Sequence, residues 1–205
     1  SVYPENFDFA TEPETYPDLD IYDENIRKNV ILIRSLIDIL QLSNEIDDIY
    51  DTPAVQDQEI GLWSMSLGAI MSSFTVAIDN RIEKAVIAAA GVDFPYLLAH
   101  TKQKRLSRVR QKQMQGLGIT SQDEFQSILE NTLSLGIRQF AGPHMRDRVY
   151  FYQVFNEEIV HTHKQLELWE LMGEPQFDTD DKGHVASLIN LALFNWRGAT
   201  NFLTR

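Results

Sequence analysis

The sequence contains no cysteine, which excludes disulfides, thiolate nucleophiles and zinc sites with cysteine ligands. A membrane-spanning helix needs about 18 consecutive apolar residues, and no run in the sequence comes near that length. The first residues lack the basic and then apolar layout of a secretory signal. We therefore expect a soluble protein and favour the cytoplasm, although a chain without cysteine suits reducing and oxidising compartments alike.

Positive charge is scarce as well. The 205 residues carry 30 acidic and 18 basic side chains, for a net charge of −12. Residues 1–60 hold the whole excess, so the rest of the chain is neutral. A field this negative repels phosphate backbones, and we do not expect nucleic-acid binding. The basic run Lys102–Lys112 fits the solvated face of a helix with Leu106, Val109 and Gln113 turned inward, and a polyanion-binding patch is the alternative.

Apolar runs and amphipathic segments alternate along the chain after an extended, acidic opening and a helix over about Asp23–Leu42. The length suits one compact domain. Short apolar or β-branched runs predict buried strands, and the segments between and after them predict helices. The predicted strands are Ile60–Trp63, Ala85–Gly91, Val149–Phe155 and Gln176–Thr179. The predicted helices lie at Leu67–Ile78, within 94–145, at Thr162–Met172 and at His184–Leu203. This order predicts an α/β fold with a parallel sheet flanked by helices.

Two capping boxes mark predicted helix starts, one at Ser121 with Glu124 and one at Thr162 with Gln165. Gly173 follows the second of these helices and is expected to end it.

The pentapeptide Ser64–Gly68, Ser-Met-Ser-Leu-Gly, stands between an apolar strand and an apolar helix. A turn this tight holds its central residue in a strained conformation and requires small neighbours, which Ser64 and Gly68 provide. Such a turn would present the Ser66 hydroxyl at the carboxyl edge of the sheet. It would also point the backbone N–H of Leu67 toward a developing oxyanion.

A serine nucleophile needs a base and a group that orients the base. His184 comes after the last predicted strand, and Glu157 comes directly after the strand Val149–Phe155. We therefore predict Ser66 as nucleophile, His184 as base and Glu157 as orienting acid. Four neighbouring carboxylates remain alternatives to Glu157: Glu158, Asp178, Asp180 and Asp181. For Ser66 and His184 the competing interpretation is a helix N-cap.

In these motifs the sequence resembles the α/β-hydrolase superfamily, in particular its serine esterases, lipases and peptidase-like members. The pentapeptide resembles the nucleophile elbow, with Ser64 in place of the first glycine. Segment 156–175 resembles the acid-bearing loop and helix, with Glu157 at the acid position. Segment 183–196 resembles the catalytic Gly-His and the terminal helix. The order of nucleophile, acid and histidine is also that of the superfamily.

The resemblance implies a core of residues 1–93 and 146–205, with 94–145 as a helical cap insertion over the site. It also implies strands before the elbow that the 65 residues preceding Ser66 do not offer, so the amino-terminal part of the sheet is missing. The strand Ile60–Trp63 would then form an exposed apolar edge. We therefore expect a carboxyl-terminal portion of a larger hydrolase, or a sheet completed by a second chain or a homo-oligomer.

The function implied is cleavage of carboxylic esters or related acyl bonds of a small-molecule substrate through an acyl-enzyme, without cofactor or metal. The alternative is a non-catalytic module that binds or assembles through its unpaired sheet edge. His161 and His163 are spaced two apart and diverge on a helix, which disfavours a metal site. His100 and His144 are expected to be solvent-facing or satisfied in the core. The tryptophans Trp63, Trp169 and Trp196 are expected on core faces.

Overall fold

Four parallel strands form the centre of the computed structural model, which describes residues 60–133, 135–156, 158–193 and 196–204 together with Arg27, Lys28 and Ile31. The strands pair in sequence order, β1-β2-β3-β4. Their bounds are Ile60–Met65 for β1, Ile82–Ala88 for β2, Val149–Val154 for β3 and Gln176–Asp180 for β4. The predicted parallel sheet is confirmed, and among the described residues it has fewer strands than the resemblance implies.

Seven α-helices in the described part of the chain connect and cover the strands. They are α1 (Leu67–Ile78), α2 (Phe94–His100), α3 (Lys104–Leu117), α4 (Gln122–Thr132), α5 (Thr162–Leu171), α6 (His184–Leu193) and α7 (Trp196–Leu203). Two short 3-10 helices, Ile137–Gln139 and Pro143–Arg148, precede β3. Three α-helices and both 3-10 helices thus lie between β2 and β3, in the segment where the sequence predicts a helical insertion. None of the helices described here is long and apolar enough to cross a bilayer.

Alternate residues of the central strands enter two separate hydrophobic clusters, because successive side chains of a strand point to opposite faces. Ile87 and Phe151 belong to the cluster that α1 and the helices α2 to α5 cover. Val86 and Tyr152 belong to the other cluster, which α6 and α7 cover through Leu191 and Ala199. Every residue of β3 is buried. The centre of the sheet is therefore packed on both faces, which explains the nearly continuous apolar runs of β2 and β3, whereas four of the five residues of β4 are exposed.

The strand β2 starts and ends three residues earlier than predicted. Ile82 is fully buried and Glu83 is exposed, since the strand begins at a sheet edge where alternate side chains reach water. At the other end, Ala89 adopts φ +55°, a left-handed conformation that cannot continue a strand. The start of the strand is polar and the residues after its end are apolar, so the apolar run in the sequence is displaced from the strand itself.

The carboxyl-terminal region also differs from expectation. The segment predicted as a helix over His184–Leu203 is helical at α6 and at α7, and residues 194 and 195 between them lie outside the described part of the chain. Trp63 and Trp169 pack against the two clusters as expected. Trp196 does not, because its side chain is 45% exposed at the start of α7. The predicted opening loop and the helix over Asp23–Leu42 lie outside the described residues except for Arg27, Lys28 and Ile31, which are helical.

Of the two capping boxes, the first is confirmed in its hydroxyl half and the second is wrong. Ser121 Oγ accepts a hydrogen bond from the N–H of Glu124 at 3.3 Å, as predicted for the start of α4. The N-cap of α5 is His161 instead of Thr162. Gln165 does not reach back to that N-cap, because its side chain is completely buried and bonds elsewhere.

The Gln165 amide ties the end of β3 to the loop that follows it. Its Oε1 accepts from the N–H of Val154 at 3.0 Å, and its Nε2 donates to the carbonyl oxygens of Val154 at 2.9 Å and Val160 at 2.8 Å. β3 ends at Val154, so these backbone groups need partners from outside the sheet. The one side chain therefore satisfies three backbone groups and holds the Val160 backbone against the strand end.

We expect Gln165→Ala to lower the free energy of unfolding by about 3 kcal/mol, because it leaves buried backbone groups without partners. Urea unfolding followed by circular dichroism would measure the loss. Gln111→Ala, at an exposed position of α3, is the matched control and should change the stability by less than about 0.5 kcal/mol. Equal losses in the two variants would contradict the role given to Gln165.

Candidate active site

Ser66 forms the turn between β1 and α1 with φ 54° and ψ −125°. This is an unusual backbone conformation for a residue with a side chain, and it persists only where the surroundings hold it. The Ser66 N–H donates to the carbonyl oxygen of Ala88 at 2.9 Å, which extends the pairing of β1 with β2. Its carbonyl oxygen accepts from the N–H of Ile70 at 3.0 Å, in the first turn of α1. The sheet and the helix together fix the strained turn.

The two small neighbours of Ser66 are placed differently. Ser64 is buried, and its Oγ donates to the carbonyl oxygen of Val86 at 2.9 Å, so the residue links β1 to β2. A Cβ added at Gly68 would meet no atom of the described residues within 4 Å. The crowding expected on both sides of Ser66 therefore does not explain the glycine at 68.

The Ser66 hydroxyl lies 2.9 Å from His184 Nε2, although 118 positions separate the two residues in the chain. His184 is the first residue of α6 and follows Gly183, which has φ +79°. Among the described atoms, Ser66 Oγ makes no hydrogen bond to the first turn of α1. The hydroxyl is therefore directed at the imidazole and does not cap the helix. The structure brings together the predicted nucleophile and the predicted base.

Three strand ends at this edge of the sheet carry a non-glycine residue with positive φ: Ser66 after β1, Ala89 after β2 and Asn156 after β3. Their φ angles are 54°, 55° and 54°. Strained backbone of this kind is concentrated at functional sites, because the surrounding structure must be built to hold it. Three of the four such residues in the described part of the chain thus lie at the carboxyl edge of the sheet, where Ser66 and His184 meet, and the fourth, Glu174, precedes β4.

The predicted acid Glu157 lies outside the described residues. Its sequence neighbour Asn156 is close to the loop that carries His184, because Asn156 Nδ2 donates to the carbonyl oxygen of Asp181 at 3.1 Å. A Cβ on Gly183 would stand 3.6 Å from the carbonyl oxygen of Asn156. The loop after β3 and the loop before α6 therefore run side by side, and the assignment of Glu157 remains a prediction.

Two of the alternative acids, Asp178 and Asp180, bond to tyrosines of β3. Tyr150 lies 3.4 Å from Asp178 Oδ2, and burial together with this carboxylate raises the pKa of Tyr150 to about 12. Tyr152 donates to Asp180 Oδ2 at 3.1 Å. Both carboxylates thus bridge β4 to β3 in the sheet. The other two alternatives, Glu158 and Asp181, are exposed.

Asp180 is the most heavily bonded of these carboxylates. It accepts hydrogen bonds from Asn190 Nδ2, from Tyr152 and from the backbone N–H of Lys182 at 3.1 Å. Burial by itself would raise the pKa of Asp180, but these hydrogen bonds and the charge of Lys182 outweigh it and hold the pKa below its usual range. The ionised carboxylate therefore joins β3, β4 and α6.

Because the folded-state pKa of Asp180 is depressed, its carboxylate stabilises the fold above the unfolded-state pKa of about 3.9, and this stabilisation is lost as the pH falls through the folded-state value. We expect Asp180→Asn to lower the free energy of unfolding at pH 7 by about 1–3 kcal/mol. The gap between the variant and the unmodified protein should shrink at lower pH. Urea unfolding from pH 7 down to about pH 3 measures it.

The exposed neighbour supplies the control for this experiment. Asp181→Asn should track the unmodified protein across the same pH range. A gap between Asp180→Asn and the unmodified protein that is independent of pH would contradict the role of the ionised carboxylate.

A cavity of about 210 Å³ opens beside Ser66. Leu67, the predicted oxyanion donor, lines it next to Ser66, together with Ile70 of α1. The remaining wall is formed by residues of α2, of the first turn of α3 and of the loop before α5. Those residues are Phe94, Leu97, Leu98, Gln103, Arg105, Leu106, Ile159 and Val160. Helices α2 and α3, which lie between β2 and β3, thus border the cavity.

Sequence reasoning missed two arginines of α3. The expected solvated face of this helix is only partly correct, since Leu106, Val109 and Gln113 turn inward but Arg110 does too. Arg110 donates to the carbonyl oxygen of Thr101 at 2.9 Å, and burial lowers its pKa. Arg105 lines the cavity. Both arginines belong to the basic run Lys102–Lys112, and charge by itself does not reveal which side of a helix faces protein.

Three of the five histidines gather around Tyr96 of α2. The ring centroids of His100, His161 and His163 lie 4.5, 5.4 and 5.2 Å from that of Tyr96. Lys164 also lies over this ring. Within the described ranges, no group of three or more histidine, aspartate or glutamate side chains is placed to hold a metal ion. The cluster is a packing contact between α2 and the start of α5.

Comparison with solved structures identifies the fold. The α/β-hydrolase GrgF from Penicillium sp. sh18 is similar with a TM-score of 0.56 and 18% sequence identity, over 86% of this chain and 72% of that one. An esterase of Pyrococcus furiosus is similar with a TM-score of 0.51 and 13% identity, over 78% of this chain and 59% of that one. No protein-family model and no curated protein matches the sequence. At these identities the likeness shows an α/β-hydrolase fold, as the motifs predict.

Proposed function

We propose that this chain, which has the α/β-hydrolase fold, is a serine hydrolase that cleaves carboxylic esters or related acyl bonds. The observation that carries the proposal is the 2.9 Å contact between Ser66 Oγ and His184 Nε2 at a strained strand-to-helix turn. A serine in such a turn with an imidazole in reach has the arrangement of an activated nucleophile. The Pyrococcus furiosus protein of the same fold is an esterase, which supports an ester as the first substrate to test.

The reaction begins with attack of Ser66 Oγ on the acyl carbonyl carbon. The hydroxyl proton passes to His184 Nε2, which must be unprotonated at that moment, and the carbonyl oxygen becomes an oxyanion. The backbone N–H of Leu67, at the amino terminus of α1, donates to this oxyanion and is favoured there by the helix dipole. Collapse of the tetrahedral intermediate breaks the bond to the leaving group, which takes the proton from Nε2.

Water completes the cycle. His184 Nε2 takes a proton from a water molecule that attacks the acyl carbon on Ser66, and a second tetrahedral intermediate forms. When it collapses, the bond to Ser66 Oγ breaks and Nε2 returns the proton to that oxygen. The products are the free acid and the regenerated serine. No metal or organic cofactor takes part in these steps.

The proposed role of Glu157 is to accept the Nδ1–H of His184. That hydrogen bond selects the tautomer with an unprotonated Nε2 and stabilises the imidazolium that forms during attack. The support comes from the neighbouring loops, since Asn156 contacts the carbonyl oxygen of Asp181 two residues before Gly183. Asp178 and Asp180 instead have partners within the sheet and α6.

We expect a fluorophosphonate probe to label the protein covalently at Ser66, because the probe reacts with activated serines by the same attack. Mass spectrometry of the labelled peptide would identify the site. Ser66→Ala should abolish labelling and the hydrolysis of a 4-nitrophenyl ester. Ser127→Ala, at an exposed position of α4, should retain both. Labelling that persists in folded Ser66→Ala would contradict the proposal.

A variant that removes the charge of Glu157 tests whether this residue is the orienting acid. We expect Glu157→Gln to lower kcat for the same ester by about 10³- to 10⁴-fold, because the amide no longer selects the productive tautomer. The exposed neighbour provides the control, and Glu158→Gln should keep kcat within about twofold. If Glu157→Gln is as active as the control, while Asp180→Asn folds and loses activity, the acid is Asp180.

A second candidate function is a non-catalytic binding or assembly module. The observation favouring it is that β1 pairs with β2 and with no other strand of the described residues, which leaves an edge that a second chain could extend. One backbone donor, Leu67, is assigned to the oxyanion, and the lack of a second donor costs about 10²–10³ in rate. A folded protein that the probe does not label at all would favour this second function.

A further inference from the structure

We propose that the cavity beside Ser66 takes an acyl chain that ends in a negatively charged group, and that Arg105 recognises this charge. The proposal deepens the proposed function, since it names the class of substrate for the same site. The reaction is that of the proposed function, and the selectivity is argued from the residues of the cavity wall. The substrate class is the monoester of an aliphatic dicarboxylic acid, whose free carboxylate is remote from the scissile ester.

Among the described residues that line the cavity, all but three are apolar. Their side chains are those of leucine, isoleucine, valine and phenylalanine, apart from Ser66, Gln103 and Arg105. Ser66 is the proposed nucleophile, and the other two belong to the N-cap and first turn of α3. None of the described lining residues carries a carboxylate. An apolar chain is therefore accommodated along most of this wall, and Arg105 favours a negatively charged end.

The polar groups of the α3 end are donors. Gln103 Oε1 already accepts from the N–H of Leu106 at 2.8 Å, which occupies one of its two lone pairs, and the Nε2 of that amide can only donate. Arg105 presents only N–H donors, five of them, in a planar fork that matches a carboxylate. A ligand that meets this end of the cavity must supply acceptors. An alcohol, an amine or an alkyl end satisfies these groups less well than a carboxylate does.

Arg105 also lacks an internal counter-ion. Lys164 pairs with Asp93 at 2.9 Å, and Lys182 pairs with Asp180 at 3.4 Å. No acidic side chain in the described part of the chain pairs with Arg105. An arginine on a cavity wall without a carboxylate partner provides a positive site for an anionic ligand.

Two further basic residues precede Arg105 in the sequence. Lys102 and Lys104 are both exposed. One acidic residue, Glu158, also lies beside this run, because its carbonyl oxygen accepts from the N–H of Lys102 at 2.8 Å. Positive charge close to a binding site attracts anions, so the two lysines add to the attraction that Arg105 exerts.

The size of the cavity limits the chain. An engineered cavity of about 150 Å³ binds benzene, with six carbons, so a cavity of about 210 Å³ scales to a chain of about eight carbons. The eight-carbon diacid monoester and the eight-carbon fatty ester differ only in the end group, carboxylate or methyl. This pair therefore isolates the contribution of the terminal charge.

The test compares kcat/KM for the mono-4-nitrophenyl ester of octanedioic acid with that for 4-nitrophenyl octanoate. We expect the unmodified protein to prefer the charged ester. Arg105→Gln should lower the ratio of the two kcat/KM values by about fivefold, the scale expected for a partly exposed ion pair. Arg105→Glu should lower it further. Added salt should reduce the preference of the unmodified protein, because screening weakens exposed charge pairs.

Arg108→Gln is the matched control. It removes the same charge one turn along α3, at an exposed position outside the cavity wall. The ratio should stay within about twofold of the unmodified value in this variant. A ratio that is unchanged in Arg105→Gln, or that falls equally in Arg108→Gln, overturns the proposal while the hydrolase function stands.

A binding experiment separates the two proposals if neither ester is hydrolysed. In that case the proposed function fails, and titration calorimetry with octanoate and with octan-1-ol measures the cavity directly. Octanoate binding that weakens about fivefold in Arg105→Gln relative to Arg108→Gln supports the charge recognition without catalysis. Octanoate that does not bind, or binds equally to both variants, overturns it.

Discussion

The parallel pairing of β1 with β2 is the constraint on which the site depends. It continues one residue past the strands, through the hydrogen bond from the Ser66 N–H to the carbonyl oxygen of Ala88, and there the chain turns at once into α1. A backbone with φ 54° and ψ −125° is unfavourable in isolation. Two buried elements hold it in place, so the Ser66 hydroxyl has a defined direction before any substrate arrives.

The Ser66 hydroxyl reaches His184 because other strand ends converge on the same edge of the sheet. Parallel strands present their carboxyl ends together, and in this sheet the loops after β1, β3 and β4 meet at Ser66, Asn156 and His184. Gln165 reinforces the arrangement from the interior, since its amide replaces sheet partners at the end of β3. Asp180 does so from the other side by joining β3, β4 and α6. The site geometry is thus a consequence of how the strands end.

Helix α3 provides both an apolar surface and a positive charge. The inward residues of α3 pack on the apolar cluster, whereas Arg105, an exposed residue in its first turn, borders the space beside Ser66. An apolar wall favours an alkyl chain through the hydrophobic effect, and a cation that has no carboxylate partner among the described residues favours an anionic end. The proposed preference for amphiphilic anions is argued from the helices between β2 and β3, so it can be tested separately from the proposed acyl transfer at the sheet edge.

Sequence patterns predict the alternation of strands and helices, the parallel sheet, the strand-to-helix turn at Ser66 and the candidates Ser66 and His184. These features depend on local patterns, such as apolar runs, small residues beside a turn and a Gly-His before a helix, which are visible in a linear chain. Three other roles emerge only from the folded chain: Gln165 completes the end of β3 instead of a capping box, Asp180 joins β3, β4 and α6, and Arg105 lines the cavity. Each of these roles depends on a partner distant in the sequence or on which side of an element faces protein, and neither composition nor spacing records that.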